Sequence, residues 1–279
     1  MTPLRQAMID ECRLRGLAQR TEDTYLYAVE QLSRHFHQRP DTITEAQLEQ
    51  YFRYLTLDKQ LARSTIHVQL NGIYFFFKAV LHKEFTITKP LSRKPVKAPV
   101  ILKPAEVQLV ISLCPDKKLR FMLMTYYGTG LRLMELIHTK VADIDGQRST
   151  LKVVAGKGNK DRYVMLTPAV LSLLREYWQI YRPRDYLFYS GRGMDKPLSG
   201  SSITRPFKAA VRAANVPGGC SLHSLRHAYA THQLMAGMPL HELQSQLGHT
   251  DIKTTQRYLH WLPEMGSGAR DLLSGWTTP

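Results

Sequence analysis

One stretch of the sequence, residues 221–258, organises the C-terminal part of the chain: SLHSLRHAYATHQLMAGMPLHELQSQLGHTDIKTTQRY. The spacing of its apolar residues and the positions of its helix-breaking residues predict three helices. Ser221 is suited to cap the first, and Gly237 ends it. The second covers about 240–247 and stops at Gly248, and Thr250-Asp251 caps a third that carries Tyr258 about two turns along.

Four polar side chains of this stretch are predicted to converge: His223, Arg226, His249 and Tyr258. His223 and Arg226 are three residues apart, so they share one face of a helix. His249 follows the turn at Gly248, and Tyr258 comes late in the stretch. Two histidines, an arginine and a tyrosine on different elements indicate a site that grips a phosphodiester and attacks it with a phenol.

The composition points to a polyanionic partner. The 279 residues include 38 Lys+Arg against 23 Asp+Glu, a formal net charge of +15. Nucleic acid is the first candidate for such a chain, ahead of an anionic membrane or a merely well-solvated surface. No apolar run reaches the length of a membrane span, and the N-terminus lacks the pattern of a signal peptide. Three widely separated cysteines suggest neither zinc nor a disulfide framework, so a cytoplasmic location is expected.

The chain divides by composition into two domains and a linker. Residues 1–85 carry apolar stripes at helical spacing, with a capping box at Thr44–Gln47, and predict a small helical bundle. The segment 83–103 has six basic residues, one acidic residue and three prolines. We therefore interpret residues 86–102 as a basic linker, in which Lys94 and Lys97 are candidate DNA contacts.

Residues 103–279 are predicted to form a mixed α+β domain. Alternating apolar residues at 150–155 and 162–166 indicate a β-hairpin, with Gly156-Lys157-Gly158-Asn159 at its turn. A further short strand is predicted at 186–188, and the rest reads as helices. The fold class expected is mainly α with a small antiparallel β-sheet.

Five sequence elements together resemble the tyrosine recombinases, also called phage integrases. They are TGLRLMEL (129–136), GKGNKDR (156–162), HSLRH (223–227), LGH (247–249) and Tyr258, nine residues later. The resemblance covers about 103–265. The helical N-terminal part is similar, by pattern and length, to the SAM-like core-binding domain of that family.

The resemblance implies a role for each matching residue. Tyr258 would be the nucleophile, Arg132 and Arg226 would clamp the scissile phosphate, and Lys157 would protonate the leaving 5′-oxygen. His223 would be a general base or hydrogen-bond donor near the tyrosine, His249 would bind the phosphate, and Glu135 would orient Arg132 or His223. The product would be a 3′-phosphotyrosine and a free 5′-hydroxyl, made without metal or ATP. Lys160 and Arg162 are expected to contact DNA or solvent.

The implied partner is double-stranded DNA at specific recombination sites. Exchange between two duplexes implies four protomers, and accessory DNA-bending proteins are compatible with the family. The preferred role is the mobility of a genetic element. The apolar residues of the tail, Trp261, Leu262, Leu272, Leu273 and Trp276, are expected to dock either on a neighbouring protomer or on their own domain.

Three other functions were weighed against this one. A DNA-binding regulator with the same fold would do no chemistry, and a type IB topoisomerase would relax DNA without site preference. A metal-dependent nuclease would need a carboxylate cluster, which the sequence does not offer. His223 and His227 are four residues apart, as in a zinc site, but the glutamate of H-E-x-x-H is missing.

Overall fold

The computed structural model describes residues 2–85, 100–154, 161–191, 193–216 and 218–259. The chain forms two compact units, residues 1–97 and 98–279, each with its own hydrophobic core. Helices dominate and the strands form two small antiparallel sheets, so the predicted fold class is confirmed. The linker residues Lys94 and Lys97 lie outside the described residues.

Residues 2–85 of the first unit form four α-helices: α1 Pro3–Leu14, α2 Gln19–Phe36, α3 Glu45–Leu57 and α4 Arg63–Phe75, the last continued by a π-helical turn, Phe76–Val80. The capping box predicted at Thr44 is present, with the Thr44 N–H donating to Gln47 Oε1 at 3.0 Å. Helix α2 begins at Gln19. The side chain of Gln19 donates to Glu22 and Asp23, which stabilises this first turn.

Close packing between α2 and α4 defines the core of the first unit. A Cβ placed on Gly72 would lie 2.9 Å from the Cβ of Ala28 and 3.0 Å from the Cα of Tyr25. The two helix backbones can approach this closely because Gly72 has no side chain. Phe76 and Phe77 are buried in the same core, as expected for an aromatic run that packs rather than stacks on bases.

The second unit contains eight α-helices and five strands within its described part. The helices are α5 Pro104–Ser112, α6 Lys117–Thr129, α7 Leu133–His138, α8 Pro168–Tyr181, α9 Gly200–Ala213, α10 Leu222–Met235, α11 Leu240–Leu247 and α12 Ile252–Gln256. The strands are β1 Ile144–Asp145, β2 Thr150–Val153, β3 Arg162–Met165, β4 Tyr189–Ser190 and β5 Gly193–Pro197.

The predicted hairpin forms as β2 and β3, in which Leu151 pairs with Val164 and both side chains are buried. Strand β1 adds to its edge, where the sequence suggested only a turn. The strand predicted at 186–188 is wrong. Tyr186 makes an isolated bridge with Lys140, and the apolar run there reflects burial of its side chains rather than a ladder.

The three helices of the stretch 221–258 are present. Helix α11 has the predicted bounds, and Gly248 ends it with a left-handed φ of +64°. Asp251 caps α12, which ends at Gln256. Tyr258 therefore lies just beyond the helix rather than within it, and its N–H donates to the Thr255 carbonyl at 3.0 Å.

Tyr258 belongs to a small hydrophobic cluster that is separate from the main core of the second unit. Its buried members are Tyr229, Ala230, Leu234, Leu243, Leu247 and Tyr258. We call this group the tyrosine cluster. Tyr127, on α6, packs against both this cluster and the main core. The nucleophile candidate is thus anchored by α10 and α11.

Gly130 is the tightest point between α6 and the tyrosine cluster. Its φ is +62°, and an added Cβ would lie 2.3 Å from a ring carbon of the buried Tyr229. We expect Gly130→Ala to lower the free energy of unfolding by about 2–5 kcal/mol, because overpacking adds to left-handed strain. Urea unfolding measures this loss.

Gly237→Ala is the matched control for that substitution. Gly237 also has a positive φ, +90°, but nothing lies within 4 Å of an added Cβ. Gly237→Ala should therefore lower the free energy of unfolding by the backbone strain alone, about 1–2 kcal/mol. Equal losses in the two variants would contradict the proposed clash with Tyr229.

Candidate active site

Arg226 is the centre of the candidate site and is almost completely buried, with 1% of its surface exposed. It lies in the first turns of α10. Its Nη1 donates to the Gly130 carbonyl, and its Nη2 donates to the Leu247 carbonyl at 2.8 Å. Within the described ranges, no carboxylate forms an ion pair with it. Burial and the nearby Arg132 lower the pKa of Arg226 to about 10, which still leaves it charged at neutral pH.

His249 is held in a defined tautomer beside Arg226. Arg226 Nη2 lies 3.1 Å from His249 Nε2, and a guanidinium can only donate. Nε2 is therefore the acceptor, so the ring proton is on Nδ1, which donates to Thr255 Oγ1 at 2.9 Å. Burial and Arg226 lower the pKa of His249 to about 4, consistent with a neutral ring.

Tyr258 lies against the same group of residues and is 3% exposed. Its ring is nearly parallel to that of His249, with centroids 6.3 Å apart. Its Oη is 3.2 Å from His227 Nδ1. Burial raises the pKa of Tyr258, while the charge and hydrogen bonding of Arg226 act in the opposite direction. The phenol is therefore protonated at neutral pH and close to a buried cation.

His223 lies at the solvent side of this arrangement. It is exposed on α10, and its ring meets that of His227 edge-on with centroids 4.4 Å apart. The pKa of His223 is lowered by desolvation of its ring and by the positive charges of Arg226 and Arg132. His223 contacts His227, and His227 in turn contacts Tyr258.

Glu135 joins two arginines from different elements. Its carboxylate accepts from Arg132 Nη1 at 2.8 Å, and from Arg162 Nη1 and Nη2, each at 2.8 Å. It also caps the backbone N–H of Arg132 at 2.7 Å. Burial alone would raise the pKa of Glu135, but the hydrogen bonds from Arg162 and Arg132 outweigh it and lower the pKa to about 2. Arg132 is further fixed by the Gly248 carbonyl, at 2.8 Å from its Nη2.

Arg162 lies inside the protein rather than on an open surface, with 14% of its side chain exposed. Both of its terminal nitrogens are directed to Glu135, and its stem packs so closely on Gly248 that an added Cβ there would lie 2.6 Å away. This geometry places Arg162 as a support for Glu135. Its predicted contact with DNA stays a prediction.

Gln246 was not singled out from the sequence, although it is buried on α11. Its Oε1 accepts the Met165 N–H at 3.0 Å, and its Nε2 donates to the Met165 carbonyl at 2.9 Å. The amide therefore pairs with the outer edge of β3 as a neighbouring strand would. The sequence did contain a signal for Gln246. It is a glutamine that directly precedes Leu247 and lies on the apolar face of a predicted helix.

Several predicted site residues cannot be placed. Lys157 and Lys160 lie outside the described residues, as do the tail residues Trp261, Leu262, Leu272, Leu273 and Trp276. The structure does bring together Arg132, Glu135, His223, Arg226, His249 and Tyr258. His227 joins them, although the sequence offered it only as half of a metal pair.

The described residues place positive charge next to a phenol. Two arginines supply positive charge, one of them buried without a carboxylate, and neutral imidazoles and a tyrosine hydroxyl line the same place. Planar guanidinium groups bind phosphates, like carboxylates, through two parallel hydrogen bonds. Such a set of residues is the one expected of an enzyme that breaks and rejoins DNA through a tyrosine.

Comparison with known proteins identifies the family. The model of the Phage integrase family matches residues 101–265, and that of the Phage integrase, N-terminal SAM-like domain matches residues 4–87. The chain belongs to the phage integrase family, and it is a tyrosine-type site-specific recombinase that acts on DNA.

Individual relatives agree with this assignment. A "Putative integrase/recombinase y4qK" of Sinorhizobium fredii is 38% identical over 261 residues, covering 93% of this chain and 84% of the relative. A "Tyrosine recombinase XerC" of Lactobacillus leichmannii is 32% identical, covering 79% of each chain. The structure of a lambda integrase tetramer bound to a Holliday junction has the same fold, with a TM-score of 0.72 at 18% identity, covering 91% of this chain and 76% of that one.

Among the helices that the structure describes, none combines the length and the apolar character needed to cross a bilayer.

Proposed function

We propose that Tyr258 attacks a DNA phosphodiester that is bound by Arg132, Arg226 and His249. The attack would yield a 3′-phosphotyrosine and a free 5′-hydroxyl. The observation that carries this proposal is the burial of Arg226, without a carboxylate partner in the described residues, beside the buried phenol of Tyr258. Taking a cation out of water is costly, and a bound phosphate anion would offset that cost.

The two arginines differ in how they are prepared for the phosphate. Arg226 is held by the Gly130 and Leu247 carbonyls, so its position is fixed before DNA arrives. Arg132 is held by Glu135 and the Gly248 carbonyl. Fixed donors of this kind stabilise the charge that accumulates on the phosphoryl oxygens in the transition state, without reorganisation during the reaction. We assign both residues to this role.

His249 is proposed to contact the phosphate after a change of partners. In the free protein its Nε2 accepts a hydrogen bond from Arg226, so the atom that would meet the phosphate has no proton. A bound anion attracts the guanidinium of Arg226. Its negative charge also favours the protonated form of the His249 imidazole. His249 would then donate from Nε2 to a phosphate oxygen. His223, exposed at the mouth of the site, is assigned a supporting hydrogen bond to the same oxygens.

Glu135 and Arg162 are proposed as positioning residues, since neither is needed to touch the substrate. Glu135 fixes Arg132 through its backbone and its side chain, and Arg162 holds Glu135 with two parallel hydrogen bonds. The role of Lys157 as the acid that protonates the leaving 5′-oxygen rests on the family motif GKGNKDR. The energy of the broken bond stays in the phosphotyrosine, so rejoining needs no added cofactor.

Strand exchange between two duplexes extends this chemistry to an assembly. The lambda integrase structure that shares this fold is a tetramer on a Holliday junction. We propose that four copies of this chain act on two DNA duplexes at specific sites. Residues 1–85 would contribute a core-binding domain, 86–102 a basic linker with DNA contacts at Lys94 and Lys97, and 103–279 the catalytic domain. Lys160 is proposed as a further DNA contact. Integration or excision of a mobile element remains the proposed biological role.

A covalent trapping assay tests the proposed nucleophile. Wild-type and Tyr258→Phe proteins would be incubated in EDTA with sheared DNA from the host and from the flanking element, and then denatured in SDS. We expect DNA attached to the wild-type protein and none attached to the variant, because only the hydroxyl can form the phosphodiester. Sequencing the attached DNA would identify the site.

The other outcomes of this assay are equally informative. DNA binding in a shift assay without any adduct would favour a regulator that does no chemistry. An adduct that persists in Tyr258→Phe would contradict the assignment of the nucleophile. Relaxation of plasmid DNA without site preference would indicate a topoisomerase.

A further inference from the structure

We propose that His227 accepts the proton of the Tyr258 hydroxyl when Tyr258 attacks DNA. This inference rests on the function proposed above and names a further catalytic residue for it. The family resemblance suggested His223 as general base, but the contact to the reacting atom is made by the histidine one turn further along α10. His227 Nδ1 is 3.2 Å from Tyr258 Oη, within reach of direct proton transfer.

The ring of His227 is fixed between two aromatic neighbours. It meets the His223 ring edge-on at 4.4 Å between centroids, and it meets the Tyr258 ring at 5.6 Å with an angle of 57°. It is half-buried on α10, directly after Arg226 in the sequence. Because both neighbours constrain the ring, Nδ1 is held toward the hydroxyl and not free to rotate away.

The protonation state of the free protein suits an acceptor. Burial, His223, Arg226 and Arg257 together lower the pKa of His227 to about 4. The ring is therefore neutral at pH 7, and one of its nitrogens can accept a proton. Around the ring, the described parts of α10 and of the segment after α12 supply these groups and Tyr258 itself.

A base with so low a pKa is weak until the substrate binds. A phosphodiester brings one negative charge to the arginines that now depress the pKa of His227. Compensation of the charge on Arg226 would raise that pKa. Proton acceptance is then strongest when DNA is in place. In the free protein the phenol stays protonated and unreactive.

The proposed step balances as follows. The Oη–H bond of Tyr258 breaks and an Nδ1–H bond forms on His227, while Oη forms a bond to phosphorus. The bond from phosphorus to the 5′-oxygen breaks, and that oxygen takes its proton from a separate acid, assigned above to Lys157. During rejoining the 5′-hydroxyl returns its proton to the conjugate base of that acid and its oxygen bonds to phosphorus. The bond from phosphorus to Oη breaks, and the imidazolium of His227 returns its proton to Oη.

Replacement of His227 by asparagine tests this assignment. The Oδ1 atom of asparagine can lie near the position of Nδ1 and accept a hydrogen bond, but it cannot hold a proton. On DNA recovered by trapping, we expect His227→Asn to cleave about 100-fold more slowly at pH 7. The rate of the variant should rise with pH as the phenol ionises, so the defect shrinks at alkaline pH. A merely structural role would give a defect that does not depend on pH.

A modified substrate separates the two proton transfers. A 5′-bridging phosphorothiolate has a sulfur leaving group, which departs without protonation. We expect the defect of His227→Asn to persist on this DNA, since the phenol must still lose its proton. The defect of Lys157→Ala should largely disappear. Rescue of His227→Asn by the sulfur substrate would overturn the proposal, because it would assign His227 to the leaving group.

His232→Asn is the matched control, since His232 is on the same helix and also binds a tyrosine. Its Nδ1 is 2.7 Å from the Tyr127 hydroxyl, within the part of α10 that we do not assign to catalysis. We expect it to cleave at a rate close to that of the wild-type protein. If His227→Asn also cleaves at the wild-type rate over the whole pH range, His227 is not the proton acceptor.

A measurement without DNA distinguishes this inference from the proposed function. Nitrogen-15 NMR of the full chain, with His227→Asn to assign the signal, reports which ring nitrogen carries the proton. We expect Nδ1 to be unprotonated at pH 7. A proton on Nδ1 would overturn the inference even if DNA cleavage is observed. Absence of any wild-type adduct would instead count against the proposed function and leave the measured tautomer intact.

Discussion

Arg226→Lys is expected to reduce the rate of covalent DNA cleavage by about 10²–10³-fold. The guanidinium reaches two carbonyls and His249 at the same time through two nitrogens, which a single ammonium cannot do. A lysine at this buried position would also tend to lose its proton, and with it the charge that binds phosphate. The rate of adduct formation on trapped-site DNA measures the loss, and circular dichroism shows whether the variant is folded.

Arg257→Lys is the control for Arg226→Lys. Arg257 is exposed and directly precedes Tyr258, so it tests whether any arginine near the nucleophile is sensitive to this exchange. We expect little change in its cleavage rate, since a surface charge is retained. Equal loss in both variants would show that sensitivity to this exchange is not specific to the buried guanidinium of Arg226.

Glu135→Gln is expected to lower the free energy of unfolding at pH 7 by roughly 3–5 kcal/mol, because it leaves two arginines without their shared buried carboxylate. Only 9% of the Glu135 side chain is exposed. Its pKa is lowered from 4.5 to about 2 in the folded protein. The stabilisation is therefore fully present above pH 4.5 and is lost as the pH falls toward 2. Urea unfolding should accordingly show a smaller difference between wild type and variant at pH 3 than at pH 7.

Glu176→Gln supplies the comparison for Glu135→Gln. Glu176 is exposed on α8, and its nearest cation is Lys117 at 3.9 Å. Exposed pairs of this kind contribute about 0–1 kcal/mol, so we expect almost no change in unfolding at either pH. If Glu135→Gln behaves like Glu176→Gln, the carboxylate does not hold the two arginines together. Slower cleavage by Glu135→Gln, with normal DNA binding, would support its role in positioning Arg132.

Local signals in the sequence were sufficient for the elements that depend on local chemistry. Gly248 requires a positive φ and Pro239 cannot continue a helix, so both ends of α11 could be predicted. The capping box at Thr44 and the alternation of apolar and polar residues in β2 and β3 depend on only a few neighbouring residues. They could therefore be predicted as well. The family pattern fixes the order of the candidate site residues. For this reason the sequence predicted Arg132, Arg226, His249 and Tyr258.

Contacts chosen by the tertiary structure were not predictable in the same way. Arg162 and Glu135 are 27 residues apart, and nothing in either local sequence indicates that they pair. Gln246 and Met165 are 81 residues apart. His227 and His223 belong to the same motif, four residues apart. Only the packing of α10 against the residues after α12 determines which of the two imidazoles contacts Tyr258.

The tyrosine cluster has a consequence for how the nucleophile becomes available. It contains six buried residues, while the main core of the same unit contains many more, and Tyr127 packs against both. Small clusters of this kind open by local unfolding at a lower free energy than the whole domain. Amide hydrogen exchange at Leu243 and Tyr258 would then report a separate opening event. Substitutions inside the cluster would change how often Tyr258 is released, through an opening that is distinct from unfolding of the whole domain.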